Sequence, residues 1–195
     1  MDMETPPRIK VIGVGDGGNH ALDYIAAEEL SGLALFAVNT HQQSTRPLNV
    51  MHVMIGKETT RGLGAGGSME YGKRAALENE EDLSQIMDGA DRVFIIAALG
   101  GGTGSGAAPI VAKLARASGA ATIGVVSTPF TFEGSQRRQI AQSGLTAIET
   151  RVDDLITVEA DRLIPLTRYR KAPILDEAFS LIARTMAWHV LSRLV

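Results

Sequence analysis

A run of glycines, Gly100 to Gly106 (GGGTGSG), lies between a short apolar segment and an alanine-rich one. Glycine destabilises regular structure by about 1 kcal/mol relative to alanine, so such a run needs a particular reason. Consecutive backbone N–H groups before a helix can form a nest around phosphate oxygens. The run therefore predicts a strand, a phosphate-binding loop and a helix. We expect its glycines to serve a ligand and not packing.

Two further clusters, Gly13–Gly18 and Gly62–Gly67, hold many of the remaining glycines among the total of 21. The first cluster fits the pattern G-x-G-x-x-G, which is typical of dinucleotide sites when an acidic residue ends the second strand. The corresponding segment here, Val38–His41, contains no acid. An NAD-type oxidoreductase is therefore an alternative that rests on this motif alone. The chain contains no G-x-x-x-x-G-K-[ST] motif, so a P-loop nucleotidase is excluded.

Short apolar segments without polar alternation are typical of strands that are buried on both faces of a parallel sheet. Helical segments lie between most of them, which predicts an α/β fold, Rossmann-like, with a mostly parallel sheet and helices on both faces. The predicted strands are Ile9–Gly15, Leu33–Thr40, Val50–Gly56, Arg92–Leu99, Ala121–Ser127 and Asp154–Glu159. The predicted helices are Asn19–Leu30, Ser68–Met87, Gly104–Ser118 and Gly134–Val152.

A last helix is predicted over Pro173–Val195. Proline is favoured in the first turn of a helix, and the acidic Asp176 and Glu177 suit the positive end of the helix dipole. Apolar residues recur at spacings of three and four along the segment. This stripe either packs on the sheet or leads into further structure.

The 195 residues and 45% hydrophobic content suit one globular domain and exclude a disordered chain. The net charge of −3 argues against binding nucleic acid through a general basic surface. The lack of cysteine excludes disulfides and thiolate zinc sites. Residues 1–8 are acidic and proline-containing, unlike a secretory signal, and no apolar run reaches the ~20 residues of a membrane helix. We expect a cytoplasmic domain with a flexible N-terminus and no membrane span.

Several motifs together resemble the tubulin/FtsZ family, and they occur in that family's order along nearly the whole chain. GGGTGSG is similar to the signature loop of the family. The other matching segments are Ile9–Leu22 (IKVIGVGDGGNHAL), Phe36–Thr40 (FAVNT), Thr60–Gly67 (TRGLGAGG), Thr128–Arg138 (TPFTFEGSQRR) and Val152–Leu163 (VDDLITVEADRL). The resemblance implies a single GTP-binding or GDP-binding domain over residues 1–195 that ends in the family's central helix at 173–195.

The resemblance also implies roles for individual residues. Glu133 and Arg137 correspond to a ribose-contacting pair, although two residues four apart on a helix also suit a surface ion pair. Phe179 would stack on guanine, or it would simply pack in the core. Mg²⁺ is a further candidate beside the nucleotide. The implied phosphate contacts are Gly17, Gly18, Gly101, Gly102, Thr103, Gly104 and Ser105, the γ-phosphate contacts are Ala65, Gly66 and Gly67, and His20 and Thr128 complete the expected site.

Departures from the family pattern stand at the same site. Ala160 and Ala183 occupy positions where the family reads the guanine edge with an asparagine and an aspartate, so guanine selectivity is expected to weaken. Asp16 replaces a glycine in the first phosphate loop, where a carboxylate repels phosphate unless it points away or meets Mg²⁺. His20 replaces an asparagine and His41 replaces an aspartate.

The resemblance implies that the second domain of the family, which carries the loop that activates hydrolysis in a neighbour, is absent. We therefore expect weak or no GTP hydrolysis by the chain alone, and no residue is assigned a catalytic or metal-binding role. The expected partners are guanine nucleotide and a full-length relative or a second copy, with a link to cell-division filaments. The alternative is a pseudo-nucleotidase scaffold that no longer binds nucleotide and acts through protein contacts.

Overall fold

A computed structural model of the chain describes residues 7–42, 47, 49–166 and 174–194. Six strands form one sheet in the order β3-β2-β1-β4-β5-β6, and every neighbouring pair is parallel. The predicted α/β sheet is therefore confirmed. Its strands are β1 (Ile9–Val14), β2 (Leu33–Asn39), β3 (Val50–Met54), β4 (Arg92–Ala98), β5 (Ala121–Thr128) and β6 (Asp154–Glu159).

Helices cover both faces of the sheet, as parallel strands require. They are α1 (Gly15–Ala26), α2 (Lys57–Thr60), α3 (Met69–Glu78), α4 (Glu80–Gln85), α5 (Gly102–Ala117), α6 (Ser135–Glu149) and α7 (Ile174–Leu191). Two 3-10 helices, Thr131–Glu133 and Ala160–Leu166, follow β5 and β6 respectively. One core joins the sheet to α3, α4, α5 and α6. A second core joins its other face to α1 and α7.

Both phosphate loops that the sequence predicts are shorter than expected, because the helices begin within them. The helix α1 begins at Gly15 and not at Asn19, and α5 begins at Gly102 and not at Gly104. Glycine is a poor helix former, so propensity alone placed both starts too late. Gly15, Gly17 and Gly18 consequently lie in the first turn of α1, and Gly102 and Gly104 lie in the first turn of α5.

The single helix predicted over Ser68–Met87 is wrong, because Asn79 divides it into α3 and α4. The Asn79 backbone leaves the helical region at φ −112° and ψ 32°. Its side-chain oxygen accepts a hydrogen bond from the Gly56 N–H at 2.8 Å, and its amide donates to Asp82 at 2.8 Å. Asparagine thus exchanges helical continuity for side-chain hydrogen bonds to the backbone and to a neighbouring side chain, which is its common behaviour. The short helix α2 was not predicted.

The last helix is described from Ile174 to Leu191, and its apolar stripe packs on α1 and the sheet. Pro173, Val195 and residues 1–6, which carry the predicted helix start, its end and the N-terminal segment, lie outside the described residues. Among the helices in the described ranges, none is long and apolar enough to cross a membrane.

Candidate functional site

A cavity of about 1040 Å³ opens at the carboxyl ends of the strands. Strands β1 and β4 are neighbours at the centre of the sheet, and the helices that follow them, α1 and α5, lie on opposite faces. Ligands of open parallel sheets bind at such a switch point, where two helix N-termini meet. Both N-termini therefore direct backbone N–H groups and positive dipole ends towards one place, which favours an anion.

Close packing explains much of the first glycine cluster. A Cβ on Gly17 would lie 2.3 Å from the Ala98 Cβ, and a Cβ on Gly18 would lie 2.1 Å from the Ile96 carbonyl oxygen. These two glycines let the first turn of α1 rest directly on β4. Gly15 has φ +71°, which glycine adopts without strain. Gly17 lines the cavity and Gly18 does not.

The expectation that the glycines of GGGTGSG do not serve packing is wrong for three of them. The helix α5 lies so close to α3 and β4 that no side chain fits at these positions. A Cβ would lie 2.7 Å from the Ser68 oxygen at Gly102, 2.3 Å from the Ala98 oxygen at Gly104 and 2.1 Å from the Met69 oxygen at Gly106.

The other two glycines of the run lie in the turn before α5. Gly100 has φ +100°, and its N–H donates a hydrogen bond to the Ser105 hydroxyl at 2.9 Å. Ser105 is fully buried and does not line the cavity, so its hydroxyl holds the turn in place. Gly101 has φ −95°, and a Cβ there would meet nothing within 4 Å. Gly101 is therefore the glycine of the run that borders open space.

The second glycine cluster forms a loop whose shape depends on glycine. Gly62, Gly64, Gly66 and Gly67 all have φ between +57° and +83°. Ala65, in contrast, is nearly buried beneath Gly102. The stretch from Gly62 to Gly67 lines the cavity, and at Ala65 it lies against the start of α5. An antiparallel bridge between His41 and Leu63 joins this loop to the end of β2.

Polar side chains from three elements meet at the glycine-lined end of the cavity. The hydroxyls of Thr40 and Thr103 are 2.7 Å apart. The Asp16 carboxylate accepts a hydrogen bond from the Asn39 amide at 2.9 Å and lies 3.5 Å from His41 Nε2. The Asp16 carboxylate is thus held by two residues at the end of β2. No pattern in the sequence predicts this role of Asn39.

Glu133 and Arg137 form the ion pair that their spacing predicts, and both line the cavity. One Glu133 oxygen accepts a hydrogen bond from the Phe130 N–H at 2.8 Å, and the other faces the Arg137 guanidinium. The Glu133 side chain is nearly buried, while that of Arg137 is 56% exposed. Glu133 is therefore fixed by its neighbours, and Arg137 is the more available of the two.

Asp161 anchors the 3-10 helix that carries Glu133. Its carboxylate accepts hydrogen bonds from the Thr131 hydroxyl at 2.6 Å and from the Thr131 N–H at 2.9 Å. These bonds, the hydroxyl first, hold the pKa of Asp161 below its ordinary value. The charged carboxylate thus stabilises the position of this helix beside the cavity.

The other end of the cavity is apolar, and α7 supplies its wall. Phe179 lines it, and its ring lies nearly perpendicular to that of Phe130, at 77° and a centroid distance of 5.6 Å. At 39% exposure, Phe179 is not an ordinary core residue. Ala183 also lines this wall, whereas Ala160 is fully buried in the core between the sheet and α7 and does not. His20, on α1, lines the cavity as well.

The structure gathers the predicted site residues around one cavity, with Gly18 and Ser105 placed behind its wall. Their roles towards a ligand stay predictions. Pro129, Gln136 and Ile140 also line it and were missed, although Gln136 adjoins Arg137 in a motif that the sequence singled out. Within the described ranges, no group of three or more His, Asp or Glu side chains is placed to bind a metal ion.

Comparisons of the sequence and of the fold with known proteins agree on one family. Residues 8–167 match the model of the Tubulin/FtsZ family, GTPase domain. The chain is 45% identical over 165 residues to the cell division protein FtsZ of Buchnera aphidicola subsp. Schizaphis graminum, and equally to that of Buchnera aphidicola subsp. Baizongia pistaciae. Each alignment covers 84% of this chain and 43% of the relative, so the chain spans less than half the length of these relatives.

Two solved structures show the same fold. The empty FtsZ dimer of M. jannaschii matches with a TM-score of 0.87 and 33% identity, over 96% of this chain and 54% of that chain. CetZ2 from Haloferax volcanii, described as a GTPgS-bound protofilament, matches with a TM-score of 0.83 and 26% identity, over 96% and 58%.

Proposed function

Because this chain belongs to the Tubulin/FtsZ family, we propose that its cavity binds GTP and GDP. The observation that carries the proposal is the convergence of two helix N-termini and a glycine loop on one cavity beside an apolar wall. Such a cavity has a polar end for phosphates and an apolar end for a base. Its volume of about 1040 Å³ is at the upper end of ordinary small-molecule sites.

The phosphates would lie at the glycine-lined end. Backbone N–H groups at the starts of α1 and α5 are the donors, and the Thr103 hydroxyl adds another. The loop Gly62–Gly67 would surround the terminal phosphate, since it lines the cavity and lies against the start of α5. The described residues form no metal site of their own, so Mg²⁺ would be held chiefly by the phosphates of the nucleotide.

The ribose and the base would lie towards α6 and α7. Arg137 is available to donate hydrogen bonds to ribose hydroxyls, while Glu133 is already engaged with Phe130 and Arg137. Phe179 offers an aromatic face on which a base can stack. Thr128, at the end of β5, and His20, on α1, also border the cavity.

We expect the chain alone to hydrolyse GTP slowly. A general base must lie within hydrogen-bond reach of the attacking water. The two carboxylates that line the cavity, among the described residues, are Asp16 and Glu133. Asp16 is held by Asn39 and His41, and Glu133 is held by Phe130 and Arg137. Neither is arranged as the base of a hydrolytic site.

The partner would be a full-length relative or a second copy of this chain, and the process would be cell division. This part of the proposal is supported by the identity to two cell division proteins FtsZ and by the fold shared with an FtsZ dimer and a CetZ2 protofilament. A cytoplasmic location and the absence of nucleic-acid partners stay predictions.

A pseudo-nucleotidase scaffold is the second candidate. The Asp16 carboxylate lies at the phosphate end, where it would repel a polyphosphate, and this observation favours the scaffold. The two candidates differ in one measurable respect. A ligand that binds only the folded state stabilises it in proportion to the logarithm of its concentration.

Thermal unfolding with and without GTP tests the proposal. At a hundredfold excess over Kd, GTP should stabilise the fold by about 2.7 kcal/mol, which raises Tm by roughly 5–10 °C in a chain of this size. Gly101→Glu should remove this shift, because it places a negative charge in the cavity without steric conflict. Gly101→Ala is the control for the backbone change. If GTP does not change the Tm of the unmodified chain, the pseudo-nucleotidase scaffold is the correct interpretation.

Single-turnover hydrolysis tests the second part of the proposal. We expect [γ-³²P]GTP bound to excess protein to release phosphate much more slowly than the 1–10³ s⁻¹ that is typical of enzyme turnover. Release at that typical rate by the chain alone would refute the reasoning about Asp16 and Glu133.

A further inference from the structure

The wall that α7 contributes to the cavity has no side chain that forms strong hydrogen bonds. It consists of Phe179, Ile182, Ala183 and Met186. These four residues lie inside the continuous helix α7, so their backbone N–H and C=O groups are used by the hydrogen bonds of the helix. Three of the four side chains are almost completely buried, with exposures of 6%, 2% and 1% for Ile182, Ala183 and Met186.

One polar side chain next to this wall comes from the same face of the sheet as α7. Helices α1 and α7 pack together on the same face of the sheet, and His20 lines the cavity from α1. The His20 ring lies against Tyr24, with centroids 5.5 Å apart and planes at 31°. The remaining polar side chains that the described part of the chain gives to the cavity come from the glycine-lined end, from the end of β5, from the 3-10 helix Thr131–Glu133 and from the first turn of α6.

From this distribution, we propose that the apolar end holds a nucleobase through contacts with its faces and does not read its hydrogen-bonding edge. The cavity would then accept adenine and guanine nucleoside triphosphates alike. This inference rests on the proposed function, because it concerns the same cavity and presupposes that phosphates bind at the glycine-lined end.

The two purines differ chiefly at that edge. Guanine carries an O6 acceptor where adenine carries an N6 amino donor, and guanine has an additional N2 amino group. A site whose buried polar groups pair with such an edge rejects the wrong ligand by a factor on the order of 10⁴. A wall of aliphatic and aromatic side chains has no group that is left unpaired by the wrong base. Shape alone then decides, and the two purine rings have similar shapes.

The base edge must keep its hydrogen bonds to water for this arrangement to be favourable, because a buried unpaired polar group is destabilising. Phe179 is 39% exposed, so the apolar wall reaches solvent at this residue. A base that stacks there can therefore keep water at its edge. Stacking on an aromatic side chain tolerates any base, since every base has a π face.

Equilibrium titration with GTP, ATP and inorganic tripolyphosphate, each in excess Mg²⁺, tests the inference. We expect the Kd values of GTP and ATP to agree within about threefold. Tripolyphosphate should bind about tenfold more weakly or worse, because it forgoes base stacking.

The variant Ala183→Asp is a second test, in which the cavity should gain selectivity for GTP over ATP. A carboxylate at this position can accept hydrogen bonds from donors on the guanine edge, and adenine lacks a matching pair of donors. We expect the ratio of ATP to GTP Kd values to rise at least tenfold, as charge-assisted hydrogen bonds are the stronger class. Ser180→Asp is the matched control, because Ser180 lies on α7 and does not line the cavity. Ala183→Asn, which adds polar atoms without charge, replaces Ala183→Asp if circular dichroism shows that variant to be unfolded.

The outcomes separate this inference from the function on which it rests. If the unmodified chain binds GTP tenfold or more tightly than ATP, the inference is overturned and nucleotide binding stands. If tripolyphosphate binds as tightly as both nucleotides, the apolar end does not hold a base, and the inference is again wrong. If none of the three ligands binds, the proposed function fails together with it.

Discussion

Gly106→Ala should destabilise the fold although Gly106 does not line the cavity. The new Cβ would lie 2.1 Å from the Met69 oxygen and 2.6 Å from the Lys73 N, about 1.3 Å and 0.8 Å short of the 3.4 Å at which ordinary contact begins. Both atoms are backbone of α3, so relief requires movement of the helix. Overpacking of this kind costs about 1–3 kcal/mol, and the rigid neighbours place it at the upper end. The higher helix propensity of alanine offsets roughly 1 kcal/mol of this cost.

The net loss is about 2 kcal/mol in the free energy of unfolding, or roughly 4–8 °C in Tm. Urea unfolding followed by circular dichroism at 222 nm measures it. Gly101→Ala is the matched control in the same glycine run, and its effect should stay within about 0.5 kcal/mol, because no atom lies within 4 Å of the added carbon. Equal stabilities of the two variants would refute the packing explanation for this part of GGGTGSG.

Three further predictions concern single side chains. Asp161→Asn should lower Tm above about pH 4 and matter less below it, because the depressed pKa of Asp161 makes its contribution full above the ordinary value of 3.8 and lost as the pH falls through the folded value; a Tm difference that does not shrink as the pH is lowered below 3.8 would contradict this. Arg137→Ala should weaken GTP binding about tenfold through loss of a charged donor, while Arg138→Ala, outside the cavity, should leave Kd unchanged in the same titration. Trp188, the sole tryptophan and 61% exposed, should be quenched by acrylamide in the folded chain nearly as well as in urea, and strong protection would contradict its placement.

The sheet was predictable because its strands are continuous apolar segments with glycine or polar residues at their ends. All six were located to within two residues. The inner strands β1, β2, β4 and β5 are mostly buried, and burial on both faces leaves a continuous apolar pattern. The edge strands β3 and β6 are more exposed but have apolar residues in sequence as well. Helix boundaries were less predictable. Asn79 divides one expected helix through hydrogen bonds to Gly56 and Asp82, and the Gly56 partner is distant in the chain. No local pattern reveals such a partner.

The candidate site was predictable as a set of residues but not as a set of roles. The motifs indicated which segments would meet, and the cavity does lie among them. The motifs did not indicate that Gly102, Gly104 and Gly106 are required by packing, because the distances from α5 to α3 and to β4 are tertiary properties. The same reason applies to Ser105, whose hydroxyl proved to be bonded to Gly100 and buried away from the cavity.

The central place of β1 in the sheet has a consequence for how the chain acquires its site during synthesis. Ile9 of β1 pairs with Arg92 of β4, and the cavity lies between the helices that follow these two strands. A nascent chain can pair β1 with β2 early, but its first helix N-terminus has no counterpart until the residues up to Gly106 have left the ribosome. Joining segments so distant in sequence is slow relative to local folding. The step that completes the sheet centre therefore brings the two helix N-termini together, and a ligand that binds between them can influence folding only after it.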